Sequence, residues 1–228
     1  MKINIFDFDG TITMDAWPNN LIKKMGCDLN DIKKYIKENK GTLVEKFFGY
    51  FNKFMTDNNV KLSKDELFEL EQTVKYNPGI QDFLKGLKTK NYIVSGGFLE
   101  LLQNIEIAKY FDGIYGTTAE FDVDGFLVAA KEIMTDDKKV SAIKDILKKN
   151  GRKEDDCRDV TFIGDGLSDV PAMRFVKSNG GRSIFVHQPF ADEELYKKLN
   201  AEDAIDFRCV ADYRDESELV KIISGGNK

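Results

Sequence analysis

The chain of 228 residues has a single histidine, His187, so a histidine-based triad or a histidine-rich metal site would have to depend on that one residue. It follows the apolar Ile184-Phe185-Val186, and a structural role at a strand end is expected. Cysteine is scarce as well. Cys27, Cys157 and Cys209 are odd in number and far apart, which fits neither a disulfide framework nor a zinc site and suggests packing roles in a reducing cytoplasm. No apolar run is long enough to span a membrane, and a first strand starting almost at Met1 leaves no room for a signal peptide, so a cytoplasmic protein is expected. Basic residues are not in excess: the net charge of −5 argues against a partner held through nucleic-acid phosphates. There is no G-x-x-x-x-G-K loop, "GDGLSD" lacks the third glycine of a dinucleotide loop, and neither D-x-D-G carries the ligand series of a calcium loop.

What is present, 42% hydrophobic and 32% charged residues, suits an ordinary globular chain long enough to bury a sizeable core. From Tyr92 onward short apolar runs alternate with helical stretches: "YIVSGG", a helix near 99–109, "GIYGT", a helix near 138–150, "VTFIGDG", a short helix from Val170, "SIFVHQ", a helix near 192–199, and a final strand and helix. That alternation predicts βαβ units and an α/β fold with a Rossmann-like, mostly parallel sheet, whose ligands bind beyond the carboxyl ends of the strands. Residues 15–77 read differently. Their apolar positions recur at helical spacing, as in Leu21, Ile22 and Met25 or Leu43, Phe47, Phe51 and Phe54, with no convincing strand until "NPG" at Asn77 to Gly79. The expected organisation is a catalytic core of residues 1–14 and 78–228 with a helical insertion, 15–77, after the first strand.

Two stretches contain D-x-D-G. In the second, Asp122 to Gly125 lie between Phe121 and Phe126-Leu127-Val128, which is the pattern of a hairpin turn. The first follows "INIF", so that Asp7 and Asp9 share one side of an extended chain at a strand's carboxyl end. Two carboxylates so close are tolerable if solvated, if one is protonated, or if a cation sits with them. Two further apolar runs end in polar, glycine-containing stretches: "YIV" before Ser95-Gly96-Gly97, and "VTFI" before Gly164-Asp165-Gly166 and Asp169. In a parallel sheet these ends converge, bringing together carboxylates, a hydroxyl and backbone N–H groups, which suits Mg²⁺ and a phosphate group.

The ordered set "DFDGT", "VSGGF", a lysine in "TDDKKVSAIKDIL" and "GDGLSD" resembles the motifs of the haloacid dehalogenase superfamily of aspartate-nucleophile phosphatases, and "NPGIQDFLKGLKTKNYIVSGGF" most resembles its phosphoserine-phosphatase-like branch. The resemblance implies that Asp7 attacks phosphorus and that Asp9 is the general acid and base. It implies that Asp7, the backbone carbonyl of Asp9 and Asp165 hold Mg²⁺, that Ser95, Gly96, Thr11 and the lysine bind phosphate, and that Asp169 orients the lysine or a metal-bound water. Between Lys138 and Lys139, helical spacing selects Lys139, which shares the apolar stripe of Ile143 and Ile146.

The implied activity is hydrolysis of a small phosphorylated metabolite through an aspartyl-phosphate, with transfer to an alcohol acceptor or non-catalytic phosphate binding as alternatives. A dehalogenase is disfavoured, since that chemistry does not need Asp9. In phosphoserine phosphatases a cap glutamate and an arginine hold the amino acid; here Ala16 stands at the position matching the glutamate and residues 15–77 contain no arginine. Trp17, Phe47 and Phe51 are the candidates for cap specificity, and an apolar, sugar-like or quaternary-ammonium leaving group is expected to fit better than phosphoserine.

Overall fold

The computed structural model describes residues 1–15, 18–71, 73–189 and 193–225; Ala16 and Trp17 lie outside them. After β1 (Ile3–Phe6) come four helices, α1 (Pro18–Met25), α2 (Leu29–Glu38), α3 (Leu43–Asp57) and α4 (Lys64–Glu71). The chain then forms α5 (Ile80–Gly86), β2 (Lys90–Phe98), α6 (Leu99–Leu102) and β3 (Gly113–Thr117). A hairpin of β4 (Ala119–Phe121) and β5 (Leu127–Ala130) precedes α7 (Asp136–Lys149), β6 (Val160–Gly164), α8 (Val170–Ser178) and β7 (Arg182–His187). Helix α9 (Glu193–Ala201), β8 (Phe207–Val210) and α10 (Glu218–Ser224) complete the described chain.

Six strands form one sheet in the order β3-β2-β1-β6-β7-β8, and every neighbouring pair is parallel. Strand β1 lies at its centre and is buried throughout, as a strand covered on both faces must be. Alternation divides the side chains between two layers. Ile5, Val94, Phe162 and Phe185 pack with Ile143 and Ile146 of α7 and Met173 of α8. Phe6, Ile93, Ile163 and Ile184 face the other way, toward Ile80 and Phe83 of α5 and Leu219 and Ile222 of α10. Cys157 and Cys209 are buried in these two layers.

A third apolar cluster belongs to the helical segment: Leu21, Met25, Phe48, Phe51, Met55 and Leu67 pack on Phe98 and Leu101. Local chemistry starts its helices. The Asp28 carboxylate accepts from the Asn30 amide at 2.7 Å ahead of α2, and Thr42 with Glu45 forms a reciprocal capping box at α3. Leu127 and Ala130 of the hairpin join the same cluster, and the Leu127 amide donates to the Leu62 carbonyl at 2.8 Å. The hairpin therefore packs with the helices, although the sequence groups it with the core. Among the described residues no helix is long and apolar enough to cross a membrane.

The single helix expected near 99–109 is instead α6 followed by a 3₁₀ segment, Glu106–Tyr110. The Asn104 side chain donates to the Glu100 carbonyl at 2.6 Å, taking an acceptor of the helix, after which Ile105 and Ile107 enter the second layer. Strand β2 also runs further than its apolar part, through Ser95-Gly96-Gly97 to Phe98, with a break in its register against β3 between Val94 and Phe98.

Candidate active site

At the carboxyl edge of the sheet, Asp7 follows the last residue of β1, Ser95 lies in β2, and Asp165 follows the last residue of β6. Helix α7 delivers Lys139 from its buried stripe, with Ala142, Ile143 and Ile146, to the same edge. Its Nζ donates to Asp7 Oδ1 at 3.0 Å and to Asp169 Oδ1 at 2.7 Å. All three residues are buried, Lys139 to 1% exposure and Asp169 to 0%. Lys138 of the same helix is exposed, so the choice that spacing made between the two lysines agrees with their burial.

The loop after β6 is closed by Asp169, whose Oδ2 accepts from the amides of Asp165 and Gly166, both at 3.1 Å. Both Asp169 oxygens are thus engaged, one by Lys139 and one by the loop. Two glycines permit this crowding. A Cβ on Gly164 would lie 2.5 Å from Asp169 Oδ2, and one on Gly10 would lie 2.0 Å from Asp165 Oδ2. Gly10 also has a φ of +71°, a left-handed turn that other side chains resist.

Carboxylate oxygens of Asp7, Asp165 and Asp169 can all lie within 4.8 Å of one another. The charge balance of this group is uneven. Burial, then the charge of Asp169, pushes the Asp7 carboxyl up to about 7. Burial, then the charges of Asp7 and Asp169, raises Asp165 well above the usual carboxylate range. Burial works to lower the Lys139 ammonium, but Asp169 and Asp7 outweigh it and hold it above its ordinary value. One ammonium does not neutralise the cluster. A donor set made of carboxylate oxygens, with Asp7 and Asp165 resisting ionisation, fits a hard divalent cation.

A cavity of ≈ 950 Å³ opens above this floor. Asp7, Asp9, Ser95, Gly96, Lys139 and Asp165 line its polar end, and the Ser95 hydroxyl accepts from the Gly97 amide at 3.0 Å. From the helical segment come Ile22, Ile36, Leu43, Val44, Phe47 and Phe48. Val44 meets the floor directly: a Cβ on Gly96 would stand 3.3 Å from its Cγ2.

Two sequence candidates are placed elsewhere. Thr11 is fully buried and outside the cavity lining, and its Oγ1 has no hydrogen-bond partner. The turn around Gly10, in which the amides of Ile12 and Thr13 donate to the Phe8 carbonyl, carries Thr11 away from the floor. Phe51 also lies outside the lining, stacked behind Phe47 at 6.5 Å. Trp17 lies outside the described residues. His187 ends β7 with its Nδ1 2.8 Å from the Gln188 carbonyl oxygen, in keeping with a structural role.

Sequence reasoning missed Asn77 and Gln188. The buried Asn77 amide donates to the carbonyls of Thr11 at 2.8 Å and Thr13 at 3.0 Å, tying the loop after β1 to the point where the chain re-enters the core. Gln188, which lines the cavity, donates to Asn77 Oδ1 at 3.1 Å. The only sequence sign of Asn77 was the break at "NPG", and Gln188 left only its place after an apolar run.

The sequence matches the haloacid dehalogenase-like hydrolase family over residues 5–174. Among solved structures, an apo phosphoserine phosphatase superposes with a TM-score of 0.70 at 18% identity, covering 99% of this chain and 99% of that one. A substrate-bound phosphoserine phosphatase gives 0.70 at 19% identity over 98% of this chain and 97% of that one. A HAD family hydrolase from Salmonella enterica subsp. enterica serovar Typhi gives 0.70 at 18% identity, covering 97% and 70% respectively. At these identities the likeness establishes the fold. No curated protein matches the sequence.

Proposed function

Because the chain belongs to the haloacid dehalogenase-like hydrolase family, we propose that it is a Mg²⁺-dependent phosphatase that hydrolyses a small phosphorylated metabolite through a phosphoryl group carried on Asp7. The observation that carries this reading is the Asp7–Lys139–Asp169 chain at the floor of the cavity. Asp169 holds Lys139 beside Asp7, where its positive charge offsets that of an approaching phosphate. The Asp7 carboxylate attacks phosphorus while the ester P–O bond breaks, and Asp9 gives its proton to the departing oxygen. Asp9 then takes a proton from water as that water attacks the acyl phosphate, releasing inorganic phosphate and restoring Asp7. Ser95 and the Gly96 N–H hold phosphate oxygens.

Asp7, Asp165 and the Asp9 carbonyl would hold Mg²⁺, which when bound supplies charge neutralisation for the phosphate and lets both carboxylates stay ionised. Asp169 is left to position Lys139 and the loop. The helical segment acts as the cap that excludes water from the acyl phosphate. Phosphate release from a panel of metabolite monoesters, with Mg²⁺ and with chelator, tests the reading: turnover is expected only with metal and only with Asp7 intact. Metal-independent turnover, or turnover by a folded Asp7→Asn protein, contradicts it.

A further inference from the structure

Resting on that phosphatase reading, we infer that the leaving group is an uncharged apolar alcohol, read chiefly by Val44 and Phe47. The helical wall facing the phosphate end is mainly apolar, with Ile22, Ile36, Leu43, Val44, Phe47 and Phe48, and beside them stand Pro18 and the uncharged amide of Asn19. No lysine of the described helical segment lines the cavity, and residues 15–77 contain no arginine. Lys53, a cation that could have faced a carboxylate, is paired on the surface with Asp57. A carboxylate on the leaving group would therefore be desolvated without a partner, next to a floor already rich in carboxylates.

A quaternary or primary ammonium is disfavoured on separate grounds. Recognition of such a cation by aromatic rings needs open ring faces. Phe47 stacks on Phe51, and Phe48 is buried against Phe98 at 5.0 Å, so they form no open cage. The acidic side chain at the helical side of the opening, Asp15, is exposed, where an ion pair gains little. Asp136 lies on the core wall in the first turn of α7, three residues before Lys139; burial, outweighing the opposing charge of Lys139, pushes its carboxyl up and so disfavours its charged form.

Size and rim agree with an apolar occupant. The volume of ≈ 950 Å³ is near the upper end of the range of about 300–1,000 Å³ for small-molecule sites, more than a phosphate and a short polar group require. Met14, Leu43 and Leu167, at 42%, 60% and 50% exposure, are large apolar side chains left exposed, and all border this cavity. Val44, against Gly96, meets the first carbons beyond the ester oxygen; Phe47, one turn further along α3, meets the next ones.

The test is a series of ethyl, butyl and hexyl phosphates beside 2-aminoethyl phosphate and phosphoserine, assayed by phosphate release with Mg²⁺. The matching alkylphosphonates, which cannot be hydrolysed, are titrated by calorimetry. The expected result is a kcat/KM, and a phosphonate affinity, that rises about fourfold for each methylene buried, with phosphoserine and 2-aminoethyl phosphate below hexyl phosphate. Phe47→Ala flattens the slope, and the isosteric Val44→Thr, which disturbs packing less, lowers the affinity of every alkylphosphonate. A flat series, or phosphoserine as the best substrate, overturns the inference and leaves the phosphatase reading intact. Phosphonate affinity that climbs with chain length while no ester is turned over supports the inference and overturns the phosphatase reading.

Discussion

Asp7-Phe8-Asp9-Gly10 and Asp122-Val123-Asp124-Gly125 have the same spacing, and their glycines adopt the same left-handed backbone, with φ of +71° and +83°. Their surroundings differ completely. Asp7 is 5% exposed, bound to Lys139 and crowded by Asp165 and Asp169, whereas Val123 is 101% exposed and the Asp122 carboxylate merely accepts from the amides of Asp124 at 3.0 Å and Phe126 at 2.8 Å. A Cβ on Gly10 would strike Asp165, while one on Gly125 would meet nothing within 4 Å. The local sequence specifies a tight turn in both places. The candidate site arises only where the sheet brings two more strand ends and a buried lysine to that turn.

The largest expected contrast is between the first aspartates. Asp7→Asn abolishes turnover, and Asp122→Asn, in an exposed hairpin, leaves it unchanged; steady-state phosphate release by both purified proteins checks this, and equal activities would remove the distinction. The second aspartates follow. Asp9→Asn keeps the backbone carbonyl but loses the proton shuttle, so kcat falls about a hundredfold to ten-thousandfold while Mg²⁺ binding survives. Asp124→Asn has no such effect. If Asp9→Asn weakens Mg²⁺ as much as Asp165→Asn does, the assignment of its carbonyl as the ligand fails.

Lys139→Met should destabilise the metal-free protein by about 3 kcal/mol in urea unfolding, since it leaves Asp7 and Asp169 buried without their cation. Comparable stability to wild type would mean that the ion pairs contribute little. The glycines give a smaller contrast. Gly125→Ala costs about 1–2 kcal/mol for its left-handed backbone alone, whereas Gly10→Ala adds a collision with Asp165 and lowers Mg²⁺ affinity as well.

pH acts on the metal-free protein through the first of these aspartates. Asp7 is raised to about 7, and a carboxyl raised on folding favours the folded state most below its unfolded pKa and loses that contribution as pH rises to the folded one. Metal-free protein should therefore lose stability between about pH 4 and pH 7, and Mg²⁺ should stabilise it more at about pH 8 than at about pH 5.5. Thermal melts with Mg²⁺ or chelator show this directly; a larger Mg²⁺ effect at the acid end contradicts it.

Much of the floor was legible because its signals are local: apolar runs ending in Asp7, in Ser95 and in Gly164-Asp165, and a lysine on the apolar stripe of α7. Depth was harder to read. Phe47 and Phe51 share a stripe of α3 one turn apart, yet Phe47 borders the cavity and Phe51 is stacked behind it, because periodicity tells which face is apolar and not which layer is left open. The burial of Thr11 outside the cavity lining was hidden for a related reason, since the turn at Gly10 reverses the chain within a few residues. The packing of the β4-β5 hairpin with the helical segment, and the hold of Asn77 on the loop after β1, depend on contacts between distant parts of the chain that no local pattern encodes.

On the proposed reading Asp7, and not another of these carboxylates, accepts the phosphoryl group. Borohydride added during turnover of a good monoester reduces an acyl phosphate to the alcohol, turning the aspartate that carries it into homoserine, and peptide mass spectrometry then locates the change. Homoserine at residue 7, absent from residues 9, 165 and 122 and from samples without substrate, is the expected result. Homoserine at any other position, or none at all while turnover proceeds and a control acyl phosphate is trapped, would contradict the account.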